Sequence, residues 1–469
     1  MIRASNWLFI GFIFISSTAF SQDSLLTYEE FMDRVMEFHP QVFRADLKSE
    51  EGGATLQQSK GGFDPSVGGK AKQKYFDDKQ YYSHLNGYLK VPTWFGITAE
   101  AGYDNTGGVF LNPSDRLPDA GLWYAGLNIE LGNGLLIDER RASLKKARLY
   151  NDATDIERKI MRNELYFNAT NAYLKWAKSY ELYVVFQNAV ETSEIRLEAV
   201  KSYVEFGDRP AINITEARIQ YQNMLLNLQQ AELEWQNSSR GLELYLWDDG
   251  FIPLEIDGAV PQPLNLVQMS DELVPVNLVD SVMVAHPLLQ LTDLSIQQSE
   301  IDLRLKKEYL KPKVSLSYRA LNEPVNNGIL VDYSIANYTW GASVSYPIFT
   351  RQERGNVRLS EIKLESQRLK QYELENKIDY QVEIGINTIR TMQNQLDVSL
   401  SNVEDYQTLL DAEINLFYNG ESSLFMVNSR ELKLMDAQIK FVEVKTKLQI
   451  AKAELKYQLL ILDNQVLKF

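Results

Sequence analysis

The chain has 469 residues, a formal net charge of −15 and no cysteine. This length allows one large core or several domains. The missing cysteines exclude disulfides, thiolate metal sites and a lipid-modified cysteine at a processed N-terminus. The acidic charge disfavours nucleic-acid binding, because a surface that holds phosphates needs clustered cations.

Residues 1–21 predict a secretory signal peptide. Arg3 gives a weakly positive start, residues 7–15 form an apolar run, and Ala19 and Ser21 offer small side chains at the spacing that cleavage requires. The alternative is a transmembrane anchor, but the apolar run is too short to span a bilayer. We therefore expect the mature chain to be exported.

Residues 27–60 predict a helix. Thr27 and Glu30 have the spacing of a capping box, and the apolar residues that follow recur with a helical period. His39-Pro40 interrupts this pattern. We interpret the pair as a structural kink, because proline removes one helical hydrogen bond.

Residues 63–132 predict a β region, since short runs alternate apolar with polar residues between turn-rich segments. The pattern leaves two strands and four strands equally open. Residues 138–206 then predict a helix of roughly 70 residues, which would extend roughly 100 Å. Gly207 ends this helix, and a shorter return helix is predicted at residues 212–246.

Residues 248–275 predict a linker, because glycine and proline recur through the segment. A second set of elements follows it. Its first helix again carries a His-Pro pair, His286-Pro287. The set comprises helices at residues 276–310, 351–417 and 424–462 and strands at residues 312–321 and 338–348.

The two long helices share one heptad pattern. Such a pattern predicts packing against other helices. The glycines that end the two helices, Gly207 and Gly420, are 420 − 207 = 213 positions apart, and the heptad residues pair at the same offset. We therefore predict two tandem repeats, residues 22–247 and 276–469. The paired heptad residues are Val190 with Val403, Leu197 with Leu410, and Val204 with Phe417.

The predicted strands raise a problem of closure. A few strands cannot form a barrel alone, because about eight is the practical minimum, and open edges invite pairing with other chains. A cyclic oligomer that pools its strands would leave no edge, and tyrosines and tryptophans near strand ends would suit a membrane interface. A soluble β cap on a helical rod would explain the same aromatic residues, and periodicity alone favours neither arrangement.

The order of these elements resembles the TolC-like outer-membrane efflux and secretion channel family. The resemblance covers essentially the whole mature chain. Each motif is weak alone, whereas their order and duplication are specific. The motifs are His286-Pro287 ahead of residues 312–316, a strand at residues 341–349 that leads into a helix at Arg354-Gly355, Phe206-Gly207, and Tyr418-Asn419-Gly420.

The resemblance implies a mainly α-helical fold with a β-barrel portion. The two repeats of antiparallel coiled-coil helices and β hairpins would assemble as a homotrimer. Its pooled strands would form one barrel in the outer membrane of a Gram-negative cell, and its helices a periplasmic α-helical tunnel. Residues 248–275 and the C-terminal end would form an equatorial belt around that tunnel.

The function that the resemblance implies is passive conduction of substrates from an inner-membrane pump to the outside. The chain would be the outer-membrane component of a tripartite efflux pump or a type I secretion system. Its partners would be a periplasmic adaptor (membrane fusion) protein and the pump. The alternative is a periplasmic or surface coiled-coil scaffold without a pore. A pore requires apolar, lipid-facing side chains on alternate strand residues, and a scaffold does not.

The helix turns are the candidate site. Gly207 and Gly420 are predicted to form tight turns that meet the adaptor, or else plain helix C-caps. The resemblance implies that these turns close the narrow end of the channel, often with aspartates after the turn glycine. This chain departs from that pattern, so we do not expect an acidic ring. The aligned positions are Asn213, Met426 and Ser429, and the alternative gate residues are Asp208, Arg209 and Glu421.

The sequence offers no catalytic chemistry. Its three histidines are spread without i,i+4 partners, which argues against a metal site. No nucleophile–base pairing or phosphate-binding glycine loop stands out from the composition. We therefore expect neither an enzyme nor a cofactor.

Overall fold

The computed structural model describes residues 25–256, 258–267, 286–324 and 334–461. The predicted signal peptide and the start of the helix predicted at residues 276–310 lie outside these ranges. The chain divides into two compact units. The helical unit comprises Met1–Val42, Arg162–Pro275 and Gln381–Phe469, and the sheet unit comprises Phe43–Met161 and Val276–Tyr380.

The described residues form seven α-helices and ten β-strands. The helices are α1 (Tyr28–Phe38), α2 (Pro40–Lys60), α3 (Glu139–Glu205), α4 (Ile212–Glu243), α5 (Pro287–Glu308), α6 (Arg351–Tyr418) and α7 (Leu424–Gln458). The strands are β1 (Leu25–Leu26), β2 (Ser66–Phe76), β3 (Lys79–Pro92), β4 (Ile97–Gly107), β5 (Leu122–Gly132), β6 (Trp247–Asp248), β7 (Ile252–Pro253), β8 (Val260–Pro261), β9 (Lys313–Asn322) and β10 (Tyr338–Ser345). Among the described residues, no helix combines the length and apolar composition that crossing a bilayer requires.

The sheet unit is built on a six-stranded antiparallel sheet with the strand order β10-β9-β5-β4-β3-β2. Residues 63–132 contribute four of these strands, the larger of the two numbers that the sequence left open. Asp77 and Asp78 join β2 to β3, and both have a φ of 53°, as a two-residue hairpin turn requires. β5 pairs with β9, so that Ile129 lies opposite Leu316 and strands from the two predicted repeats are neighbours.

The pairing register gives this sheet two faces of opposite character, because side chains alternate along every strand. One face, which we call the apolar face, carries Val67, Leu85, Leu89, Ala101, Tyr103, Trp123, Leu127, Ile129, Leu316, Tyr318, Trp340 and Val344. The other, the polar face, carries Lys70, Lys72, Lys74, His84, Lys90, Glu100, Asp104, Asn128, Glu130, Lys313, Ser315, Ser317, Arg319 and Ser343.

The two faces also differ in whether their side chains find contact partners within the described part of the chain. On the polar face Glu100 contacts Arg319 Nη2 at 2.9 Å and Lys90 Nζ at 3.6 Å. On the apolar face Val67 and Val344 are 86% and 72% exposed. The polar face therefore forms its own ion pairs, while the apolar face has no packing partner among the described residues of the single chain.

The core of the helical unit surrounds two aromatic residues of α3, Tyr173 and Trp176, which are fully buried. The Tyr173 hydroxyl donates to the Leu26 carbonyl at 2.7 Å and accepts from the Gln262 N–H at 3.3 Å. Trp176 Nε1 donates to Ser239 Oγ at 2.9 Å. Burial raises the pKa of Tyr173, and the hydrogen bond that its hydroxyl accepts from the Gln262 N–H opposes this rise to a smaller extent. This core fixes part of the segment predicted as a linker against α3.

The repeated His-Pro pairs start helices, so the kink interpretation is wrong. α2 and α5 each begin at the proline, where the missing N–H has no helical partner to lose. The Nδ1 atom of the histidine before each proline accepts a hydrogen bond from the backbone N–H two residues further along the chain. The distances are 3.1 Å from Gln41 to His39 and 3.3 Å from Leu288 to His286. The histidine therefore acts as an N-cap, as an asparagine would.

Stability should fall as the pH drops below about 6.5, the ordinary pKa of histidine, because of His39. Burial lowers the pKa of His39, and a hydrogen bond with the Leu244 backbone opposes this to a smaller extent. The unfolded chain therefore binds the proton first, and stability rises with pH between the folded and unfolded pKa values.

His39→Asn keeps the cap but cannot titrate. Thermal unfolding at pH 7.5 and pH 5.5 should show a smaller loss on acidification in this variant than in the unchanged chain. An equal loss in both proteins would contradict the role given to His39.

Candidate functional site

Gly207 and Gly420 end α3 and α6 in the same way. Both have a φ of +79°, in the left-handed region that favours glycine. In the first turn the Gly207 N–H donates to the Val204 carbonyl at 3.0 Å, and the Asp208 N–H donates to the Tyr203 carbonyl at 2.8 Å. The second turn repeats these two bonds at 3.1 and 2.8 Å. Both turns are therefore Schellman motifs.

Arg209 connects the two turns. Its Nη2 atom donates to the Phe417 carbonyl at 2.8 Å, and its guanidinium carbon lies 4.6 Å from the centroid of the Phe417 ring. The last carbonyls of a helix carry partial negative charge, so a cation at this place is favoured. The first turn thus caps the helix that leads into the second turn.

The other predicted site residues stay apart from this contact. Asp208 and Glu421 are exposed, and neither makes a side-chain hydrogen bond or ion pair with the part of the chain that is described. Asn213 and Met426 lie in the first turns of α4 and α7, and Ser429 lies one turn further along α7. The structure therefore brings Arg209, and not the acidic residues, into contact with the neighbouring turn.

The predicted heptad residues pack beneath the turns. Leu197 of α3 and Leu410 and Phe417 of α6 are each buried to within 6% exposure. They form one cluster with Leu424 and Val427 of the return helix α7. The turns are thus held by a four-helix core, to which α4 adds further residues.

A pair of buried charge contacts lies in the same bundle, and the sequence analysis missed it. Arg196 on α3 pairs with Glu431 on α7, and their side chains are 12% and 8% exposed. Glu413 accepts from Ser422 Oγ and lies 3.5 Å from Arg430 Nε. The available signal was the position of Glu431 on the apolar stripe of α7, where a charge requires a partner.

The described residues contain no group of three or more histidine, aspartate or glutamate side chains placed to hold a metal ion. The arrangement at the turns consists of backbone caps, one cation–π contact and two buried carboxylates. It forms a surface at the end of a packed helix bundle.

Residues 278–459 match the family model "Outer membrane efflux protein". The solved structures similar to the chain include outer-membrane channels, and these alignments span almost the full length of both proteins. The chain has the fold of TolC-like outer-membrane channels.

Three of these structures show the extent of the similarity. The Vibrio cholerae outer membrane protein VceC has a TM-score of 0.66 at 12% identity, covering 92% of this chain and 95% of its own. The open state of the Neisseria gonorrhoeae MtrE outer membrane channel has 0.66 at 15%, covering 92% and 88%. The Campylobacter jejuni CmeC outer membrane channel has 0.63 at 14%, covering 98% and 93%. No curated protein matches the chain in sequence.

The TolC-like fold agrees with the architecture expected from the resemblance. Helices dominate, a smaller antiparallel sheet lies in one unit, and the matched family is one of transport proteins and not of enzymes. The matched segment begins ahead of α5 and ends with α7, so it coincides with the second predicted repeat.

On the function and assembly that the resemblance implies, replacing both turn glycines by valine should abolish export while leaving the oligomer intact. A Cβ at either glycine would meet no atom within 4 Å, so no clash arises. The cost is conformational, roughly 1–2 kcal/mol at each position, because the left-handed backbone is unfavourable for a side-chain-bearing residue. The turns would relax to another shape above an unchanged bundle.

The measurement is an export assay alongside the fraction of oligomer in the membrane. Gly241→Val is a matched control, because Gly241 lies within α4, has open space around it and lacks the positive φ. Normal export by the double variant would show that the turns are plain helix caps and not a fitted surface.

Proposed function

We propose that this chain is the outer-membrane channel component of a tripartite efflux pump or type I secretion system. It conducts substrates passively from the inner-membrane pump to the outside of a Gram-negative cell. The sheet unit lies in the outer membrane, and the helical unit lies in the periplasm.

One observation carries this proposal: the apolar face presents apolar side chains on all six strands. An exposed apolar surface is costly in water, at about 25 cal/mol for each Å² that could be buried. Trp340 and Leu127 are 67% and 48% exposed on this face. A bilayer would cover it, and the polar face would line a water-filled lumen.

The open edges of the sheet favour assembly as a homotrimer. Six strands are too few to close a barrel, because about eight is the minimum. Neither edge strand of the sheet, β2 or β10, has an outer pairing partner among the residues that the structure describes. Copies that pool their strands leave no open edge.

The periplasmic adaptor is proposed to contact the two turns. Phe206, Ile212, Tyr418 and Phe425 surround the turn glycines and are 80%, 68%, 61% and 68% exposed. Clustered exposed apolar side chains mark protein interaction surfaces. The inner-membrane pump supplies the driving force, because the channel has no energy source of its own.

The alternative is a coiled-coil scaffold without a pore. The helical unit alone would suit either function, because both require heptad packing. The sheet discriminates between them: a scaffold in water has no use for an apolar face on alternate residues of six strands.

The test is purification from membranes followed by reconstitution in planar lipid bilayers. The expected result is sedimentation with outer membranes and discrete conductance steps. A monomer that remains folded in buffer without detergent, and that produces no conductance, would support the scaffold instead.

A further inference from the structure

The two edge strands of the sheet, β2 and β10, are suited to pair with each other between neighbouring copies. We propose that β2 of one copy pairs with β10 of the next, so that three copies form a single barrel of eighteen strands. This inference rests on the proposed trimer and adds the strand count and the strand pair that closes the wall.

The directions of the edge strands permit this pairing. All five pairs in the sheet are antiparallel, and the number of strands in it is even. β2 therefore runs antiparallel to β10 of the same copy, and by symmetry also to β10 of the next. Antiparallel closure with an even total is the rule for bacterial outer-membrane barrels.

The edge strands lack two of the features that block pairing, namely shortness and proline. Natural edge strands are short or carry proline. β2 has 11 residues and β10 has 8, and neither contains proline. The lysines of β2 at positions 70, 72 and 74 all lie on the polar face, so they leave the backbone edge accessible.

The chemistry of the faces continues across the proposed junction. Val67 and Ala71 of β2 lie on the apolar face, as do Ala342 and Val344 of β10. The polar-face residues of β10 are small, such as Ser343, and leave room beside the lysines of β2. Pairing the two strands therefore extends each face without a break.

The size of such a barrel matches the helices that continue from it. Four helices of the sheet unit connect to the sheet in each copy, namely α2, α3, α5 and α6. Twelve helices about 9–10 Å apart have a circumference of about 110–120 Å. Eighteen strands about 4.8 Å apart and tilted by about 40° give about 110 Å, whereas twelve strands give about 75 Å.

The competing arrangement excludes the β2–β3 hairpin from the wall. In that case β4, β5, β9 and β10 of three copies would form a twelve-strand barrel, and β4 would pair with β10 of the next copy. The two arrangements differ in which strand lies beside β10.

Disulfide cross-linking tests this directly, because the chain has no cysteine of its own. Ala71→Cys on β2 is combined in turn with a cysteine at position 338, 340, 342 or 344 of β10. These four positions share the apolar face, and stepping along them scans the unknown register. A disulfide forms only where the Cα atoms come within about 7 Å. The matched control is Ala101→Cys on β4, combined with the same four positions.

The expected result is a covalent ladder up to the trimer with Ala71→Cys in at least one combination, and none with Ala101→Cys. Cross-linking through Ala101→Cys would establish the twelve-strand wall and overturn the proposal while leaving the channel function intact. A trimer that cross-links through neither strand also overturns it. Absence of any trimer in the membrane would overturn the proposed function as well.

Discussion

Leu127→Arg should prevent the protein from assembling in the outer membrane, whereas Asn128→Arg should be tolerated. Leu127 lies in the middle of β5 on the apolar face, and Asn128 lies beside it on the polar face. An arginine facing lipid near the bilayer midplane costs about 2–4 kcal/mol. A trimer carries this cost three times, whereas an arginine facing the lumen stays hydrated.

The measurement is the amount of each variant in outer-membrane fractions, together with the amount of trimer that survives mild detergent. The pair forms its own control, since the two substitutions introduce the same side chain at adjacent positions of one strand and on opposite faces of the sheet. Normal assembly of Leu127→Arg would show that water covers the apolar face, and would favour the scaffold.

Glu431→Ala should destabilise the helix bundle beneath the turns by about 3–5 kcal/mol, since it leaves a buried guanidinium unpaired. Arg196 is 12% exposed and pairs with Glu431 from the neighbouring helix. Replacing both partners by apolar residues, Arg196→Met with Glu431→Leu, should recover most of the loss.

Thermal or denaturant unfolding of the detergent-solubilised protein measures this effect. Glu198→Ala is the control, because Glu198 forms an exposed i,i+3 pair with Lys201 on the same α3 helix. Exposed pairs of this kind contribute about 0–1 kcal/mol. Equal losses for Glu198→Ala and Glu431→Ala would contradict the claim that burial decides the cost.

The heptad repeat was the most informative feature of the sequence. Leu197, Leu410 and Phe417 were predicted to face other helices, and they lie together in the core beneath the turns. A seven-residue apolar period over a long stretch has few interpretations other than helix packing. Apolar alternation likewise indicated strands, although not their number.

Other features could not be predicted, because the same sequence pattern is compatible with two different local structures. A proline inside an apolar period suits either a kink or the first position of a new helix, and His39-Pro40 and His286-Pro287 adopt the second. The β2–β3 turn uses Asp77 and Asp78 in place of the usual glycine, so the hairpin gave no strong signal. The link between Arg209 and Phe417 depends on which turns become neighbours in space.

The even number of strands in each copy limits how such a wall could change in evolution. Adding or removing one strand would make the strands that meet at the junctions parallel, and every junction in the ring would fail together. Adding or removing a hairpin such as β2–β3, whose strands are joined by only Asp77 and Asp78, keeps the directions alternating. The bore of a barrel built from identical copies would therefore widen or narrow only when every copy gains or loses a whole hairpin.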